Sequence, residues 1–340
     1  MRDFLGMNYM DMLKILPIRK HMTLAKRLPE IRLSNNIDKA KANWIIFSNS
    51  LFAEQFDEID HYTGEYNAVI DAWKVGQYEV ALMAGHLTPQ LEKILQSLKL
   101  DYARLRDIPD LTKPGLVVMD MDSTAIQIEC IDEIAKLAGV GDEVSEVTER
   151  AMQGELDFEE SLRQRVGKLA GADESILATV RETLPLMPDL VELVNTLHLL
   201  GWKTAIASGG FTYFSDYLKE TLGLDHAQSN QLEIVNGKLT GKVLGDIVSA
   251  QTKADILEDL AEHYDIETHN TVAVGDGAND LAMMSVAGLG IAYHAKPKVE
   301  QQAQAAVRYS GLGGVLCILS AMLVKQQRLS YTPKPNQRMQ

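Results

Sequence analysis

Four short apolar runs, Leu116–Met119, Lys203–Ala207, Thr271–Val274 and Leu289–Ala292, alternate with helical stretches, and the first three stop at Asp120, Ser208 and Gly275. This alternation constrains the fold more than any other feature. Strands of a parallel sheet are covered by helices on both faces, so they read as near-continuous apolar segments, and the pattern predicts an α/β doubly wound parallel sheet. Ligands of such sheets bind beyond the carboxyl ends of the strands, which would make neighbours of polar clusters far apart in sequence. The stretch 128–188, between the first two runs, is too long for one crossover helix and is expected to form a helical cap over that end. Asn236-Gly237, inside an alternating segment from Gln231 to Thr240, predicts a separate hairpin closed by a type I′ turn.

Pro109 to Pro114 reads as a linker before a new strand. We therefore expect an N-terminal α+β domain over 1–110, an α/β unit with its cap over 111–327, and a flexible tail over 328–340. In the first of these, Trp44–Phe47 and Tyr78–Met83 read as strands. Thr88 reads as the N-cap of an amphipathic helix with Pro89 in its first turn. The first 40 or so residues are basic and weakly periodic, which fits an added helix or a partly disordered start. A formal net charge of -14 over 340 residues disfavours nucleic acid as a partner. With only Cys130 and Cys317, no disulfide framework or CxxC metal site is in view, so a cytoplasmic protein is expected. No apolar run reaches membrane-spanning length and no signal-peptide pattern opens the chain, so neither export nor insertion is expected.

The chemistry lies at the strand ends. Asp120-Met121-Asp122-Ser123-Thr124 puts two carboxylates after a buried strand, pointing the same way because side chains alternate along extended chain. Ala207-Ser208-Gly209-Gly210, expected at a helix entrance, offers a hydroxyl and unhindered N–H groups to a phosphate oxygen. Lys253 sits in the first turn of a helix that Thr252 can cap, where the macrodipole disfavours a cation. Gly275-Asp276-Gly277-Ala278-Asn279-Asp280 presents oxygens to a metal or to groups around it. Taken singly, the first two strings are ordinary turns and Lys253 an exposed lysine, while the glycine-flanked Asp276 string after an apolar strand is more specific; the four together describe phosphoryl transfer from a phosphate monoester. A phosphate dianion would be repelled by Asp120, Asp122 and Asp276 unless a divalent cation stood between them. An oxygen-only site suits Mg2+ and leaves Mn2+ open. Asp120 would attack phosphorus, Asp122 would protonate the leaving alkoxide and then activate water, and Ser208, the Gly209 N–H and Lys253 would hold the equatorial oxygens.

These four strings, in this order, resemble the motifs of the haloacid dehalogenase superfamily of phosphohydrolases over about 115–320. The segments around Ile128-Glu129-Cys130, Ala151-Met152 to Phe158 and Ser161-Leu162-Arg163 to Arg165 are similar to its phosphoserine phosphatase branch. That resemblance implies Glu129 as partner of a substrate ammonium, Arg165 as partner of its carboxylate, Met152 and Phe158 as apolar cap contacts, and Asn279 near the phosphate. It also implies hydrolysis of O-phospho-L-serine at the last step of L-serine biosynthesis. Glu129 and Arg165 argue against monoesters that lack an amino-acid head, and the intact carboxylates argue against a vestigial ligand sensor. The order of strands and helices before residue 110 faintly resembles ACT-type amino-acid-binding modules without a specific motif; the resemblance implies self-association as a homodimer with feedback binding of serine, and a stability role stays open beside it.

Overall fold

The computed structural model describes residues 16–20, 22–28, 39, 42–153 and 155–329. The apolar runs form the centre of a seven-stranded sheet. Its strands are β6 (Leu116–Met119), β7 (Lys203–Phe211), β8 (His226–Val235), β9 (Lys238–Leu244), β10 (Thr271–Gly275), β11 (Leu289–Tyr293) and β12 (Ala305–Val307), in the order β12-β11-β10-β6-β7-β8-β9. Neighbours pair in parallel, except that β9 runs antiparallel to β8. Period-two alternation divides the side chains between two layers. Val117, Met119, Ile206, Val272 and Val274 face one apolar cluster, while Leu116, Val118, Ala205 and Ala273 face another.

The Asn236-Gly237 turn has both residues at positive φ, 52° and 74°, as a type I′ turn requires. The hairpin is not separate, however. The first residues of β8 pair in parallel with β7 before the strand turns to pair with β9, so one ten-residue strand serves two partners at the edge of the main sheet.

The upstream sheet is antiparallel. It is built from β1 (Ile18–Arg19), β2 (Trp44–Ser48), β3 (Val69–Val75), β4 (Tyr78–Met83) and β5 (Asp101–Arg104), in the order β1-β3-β4-β2-β5. Trp44 and Ile46 face Leu24, Phe56, Ile59, Leu91 and Leu95 of three helices, α1 (Met22–Arg27), α2 (Ala53–Thr63) and α3 (Pro89–Ser97). Thr88 Oγ1 accepts the Leu91 N–H at 3.2 Å, so α3 begins where the Thr-Pro pair predicts. The other face of this sheet, with Phe47, Trp73, Val80 and Leu82, joins the main core.

Between β6 and β7 run α4 (Cys130–Ala138), α5 (Gly141–Met152), α6 (Phe158–Lys168), α7 (Ser175–Glu182) and α8 (Leu190–Leu199). Beyond β7 come α9 (Thr212–Leu222), α10 (Ala250–His263), α11 (Leu281–Val286), α12 (Pro297–Glu300) and α13 (Gly313–Lys325). The last of these is apolar on every side, as befits a helix between two layers. It packs against β2, β3, β4 and α8, and Trp73 Nε1 donates to Ser320 Oγ at 2.8 Å.

Two buried polar side chains complete the junction between the sheets. Asp101, 1% exposed, accepts the backbone N–H groups of Arg308 (2.7 Å), Tyr309 (3.2 Å) and Ser310 (2.8 Å). Asn270 binds the segment read as a linker, accepting from Asp110 N at 2.7 Å and donating to Pro114 O at 2.7 Å. The expected disorder at the start and the tail fall largely on residues 1–15 and 330–340, outside the described residues. An added helix is present as α1. Among the described residues no helix is long and apolar enough to cross a membrane.

Candidate active site

A cleft of about 260 Å³ opens at the carboxyl ends of β6, β7 and β10, lined by Asp120, Asp122, Glu129, Phe158, Arg165, Ser208, Gly209, Asp276 and Asn279 among others. Each arrives for a local reason. β6 ends at Met119, Met121 is buried, and Ser123 at φ 56° turns the chain back. Asp122 Oδ1 then accepts the N–H of Cys130 at 3.3 Å, the first residue of α4, where a negative charge meets the positive end of the helix. Glu129 is the N-cap residue of α4 but does not cap it; its carboxylate takes the Ser123 hydroxyl at 2.7 Å instead. α6 starts with a capping box in which Asp157 Oδ1 accepts Glu160 N at 2.8 Å. Phe158, Leu162 and Arg165 follow at i, i+4 and i+7, so one stripe of α6 lines the cleft. A Cβ on Gly209 would lie 2.6 Å from Phe158 Cζ, so the ring rests directly on that glycine.

The Ser-Gly-Gly string differs from its expected setting. Ser208 to Gly210 belong to an irregular continuation of β7, and α9 starts only at Thr212. The Lys253 helix also begins earlier than expected. Its cap is Ser249, not Thr252, because Ser249 has extended backbone and its Oγ accepts the Thr252 N–H at 3.2 Å. Lys253 is fully buried, with Nζ 2.8 Å from Asp120 Oδ1 and 2.7 Å from Asp280 Oδ1.

Oxygens of Asp120, Asp276 and Asp280 all lie within 4.8 Å of one another. Asp122, expected in this group, stands outside it, because its carboxylate turns toward the N-terminus of α4. Both Asp280 oxygens are engaged, one by Lys253 and the other by the Gly277 N–H at 3.0 Å. The Asp120–Lys253 contact is an ion pair off the line a hydrogen bond needs, so Asp120 Oδ1 is buried without a hydrogen-bond partner. Hard oxygen donors, an excess of negative charge and an unsatisfied carboxylate oxygen fit a divalent cation.

The electrostatics follow from enclosure. Burial pushes Asp120 well above the usual carboxylate range despite the Lys253 ammonium beside it. Burial, then the charge of Glu129, raises Asp122 to about 7; burial, then Asp280, raises Asp276 to about 6. Burial opposes the charge on Lys253, but Asp120 and Asp280 outweigh it and hold the ammonium protonated beyond its ordinary range. Burial lowers Arg165 in the same way, and its Nε is buried without a partner.

Met152 is not brought to the cleft. It lies at the end of α5, 69% exposed. Sequence reasoning also missed three polar residues. They are Ser123, which holds Glu129, Thr124, whose Oγ1 lies 3.4 Å from Asp276 Oδ1, and Asn230, which reaches the backbone of the Ser-Gly-Gly string. The first two stand inside the Asp120–Thr124 string, where their type and position were the available signal; Asn230 has no signal of its own in a single sequence.

Comparisons with known proteins agree on one family. The haloacid dehalogenase-like hydrolase family model matches residues 114–288, and a model described as a domain of unknown function (DUF5609) matches residues 40–104. The chain is 70% identical to the phosphoserine phosphatase of Vibrio cholerae serotype O1 over 326 residues, 96% of this chain and 99% of the other. It is 55% identical to that of Haemophilus influenzae over 278 residues, 82% of this chain and 88% of the other. Among solved structures, the unliganded probable phosphoserine phosphatase from Vibrio cholerae superposes with a TM-score of 0.88 over 95% of this chain and all of that one. A substrate-bound phosphoserine phosphatase complex, 40% identical, superposes with a TM-score of 0.57 over 60% of this chain and 97% of that one.

Proposed function

The chain belongs to the phosphoserine phosphatases of the haloacid dehalogenase-like hydrolases, and from that premise we propose that it hydrolyses O-phospho-L-serine to L-serine and inorganic phosphate through an aspartyl phosphate, with Mg2+. The observation that carries the substrate assignment is the unpartnered, buried Arg165 Nε in one cleft with Glu129 and the Asp120/Asp122 pair. A buried guanidinium nitrogen without an acceptor is costly. A carboxylate of the substrate would satisfy it, and Glu129 would take the ammonium of the same head group.

Asp120 and Asp276 would hold the Mg2+, which when bound supplies the positive charge that admits a phosphate dianion among carboxylates. The Asp120 carboxylate forms a bond to phosphorus as the bond from phosphorus to the serine oxygen breaks. Asp122, raised to about 7 and therefore able to carry a proton near neutrality, gives that proton to the departing alkoxide. Asp122, now ionised, takes a proton from water as the water oxygen bonds to phosphorus, and Asp120 leaves as a free carboxylate. Ser208, the Gly209 N–H and Lys253 hold the phosphoryl oxygens, and Asn279 lines the same cleft.

We also read α4 to α7 as a cap that shuts water out during this sequence, the 111–327 segment as the catalytic unit, and the cytoplasm as its location. The free, buried Cys130 and Cys317 support a reducing compartment. Self-association through the upstream sheet would have to use an edge, since both of its faces are covered.

Replacing Arg165 with Met tests the head-group reading. KM for phosphoserine should rise by about 10- to 100-fold, as expected for losing a charged hydrogen-bond partner. Phosphoethanolamine, which lacks the carboxylate, should be turned over much as by the wild type. Equal losses on both substrates would contradict the assignment of Arg165 to the carboxylate.

A further inference from the structure

The Asn230 side chain lies on β8, 1% exposed, and does not line the cleft. Its amide is nevertheless spent on the two backbone segments that carry the proposed phosphate contacts. Nδ2 donates to Gly209 O at 2.8 Å, and Oδ1 accepts the Val248 N–H at 2.8 Å. A carbonyl must receive the amino half and an N–H the oxygen half, so the orientation of this amide is fixed by its partners.

The consequences run in two directions. Holding the Gly209 carbonyl fixes the Gly209–Gly210 peptide plane, whose N–H donates to Ser208 Oγ at 2.9 Å. Because Ser208 Oγ accepts that bond, its own hydrogen is free to donate elsewhere. Gly210 also sits tight against Met121 and Asp122, since a Cβ there would lie 2.6 Å from Met121 Cε and 2.8 Å from Asp122 Oδ2. In the other direction, Val248 immediately precedes Ser249, the cap of α10, and the Lys253 N–H bonds to Ser249 O at 3.0 Å. One side chain therefore ties the Ser208–Gly209 loop to the start of the helix that brings Lys253 to Asp120.

We infer that Asn230 is a positioning residue for phosphoryl recognition, setting the Ser208 hydroxyl, the Gly209 backbone and the origin of the Lys253 helix in one frame. This rests on the phosphatase reading above but not on the identity of the amino-acid head group. Glu129 and Arg165, on α4 and α6, make no hydrogen bond to it in the described structure.

The test uses the full chain with Mg2+, as Asn230→Asp and Asn230→Ala. Asn230→Asp keeps an acceptor for Val248 N–H and loses the donor to Gly209 O; Asn230→Ala loses both. Binding of inorganic phosphate, measured by calorimetry per folded molecule, should weaken by about tenfold or more in each, and kcat on p-nitrophenyl phosphate and on phosphoserine should fall by a comparable factor. Inhibition by L-serine, which engages only the head-group contacts, should stay within about twofold of wild type. A lowered Tm with phosphate affinity unchanged would overturn the inference and leave Asn230 a purely structural residue. So would equal losses of phosphate and serine affinity. Should Asn230→Ala not fold, Asn230→Asp decides alone. Wild-type activity on p-nitrophenyl phosphate with none on phosphoserine would refute the substrate assignment while leaving the phosphate-binding comparison intact.

Discussion

Asp120→Asn should abolish phosphate release, by about 10⁴-fold or more, while leaving the protein folded. The substitution is isosteric and removes only the charge and nucleophilicity of one oxygen. Its effect on stability should be small, because two terms oppose each other. Asp120 is held well above the usual carboxylate range by burial, so its ionised form costs stability at neutral pH, while its pairing with Lys253 returns part of that cost. An amide escapes the first term and loses the second. A thermal melt close to wild type together with lost turnover would place the effect in the chemistry. Residual activity within about tenfold of wild type would mean that water attacks phosphorus directly and that Asp120 is not the nucleophile.

Lys253→Met should cost both activity and stability. The ammonium is the positive charge shared by two buried carboxylates, at 2.8 Å from Asp120 and 2.7 Å from Asp280. Breaking a buried pair by removing one partner costs about 3–5 kcal/mol, since the remaining charges stay desolvated. Asp120, raised already, would rise further, away from the ionised form that attacks phosphorus, so the variant should lose about 10³-fold or more in turnover. The sign of the pH dependence follows. A carboxyl whose folded pKa lies above its unfolded value binds more protons when folded, so the stability deficit of the variant should shrink as the pH is lowered through the raised value toward the ordinary carboxylate range. Denaturant melts at several pH values check this. A deficit that grows on acidification would contradict the account of Lys253 as the counter-charge.

Much of the architecture was legible because it depends on local pattern. Apolar runs covered on both faces marked β6, β7, β10 and β11, Thr88-Pro89 marked the start of α3, and Asn236-Gly237 marked the turn between β8 and β9. The strand-end strings likewise announced the carboxylates and glycines that the cleft gathers. Glu129, Phe158 and Arg165 were visible only through family resemblance, because a charged or aromatic residue on a helix has no periodicity of its own. What escaped is long-range. Asp101 reaches the backbone at 308–310 and Asn230 joins the loops at 209 and 248, and such side-chain-to-backbone bonds depend on tertiary placement that one sequence does not encode locally. The cap of α10 was misassigned because Ser249 and Thr252 are both competent capping residues, and only the backbone at Ser249 decides between them. Met152 was expected at the cleft from resemblance, whereas α5 ends with it in solvent.

The most direct test of the central claim is phosphate release by the wild-type protein from O-phospho-L-serine, phosphoethanolamine and a sugar phosphate, each with Mg2+ and after chelation. The account expects rapid, Mg2+-dependent release from phosphoserine, with at least about 100-fold lower kcat/KM on the two esters that lack the full amino-acid head. Comparable or faster release from either of those esters, or release from phosphoserine that persists after chelation, would contradict it.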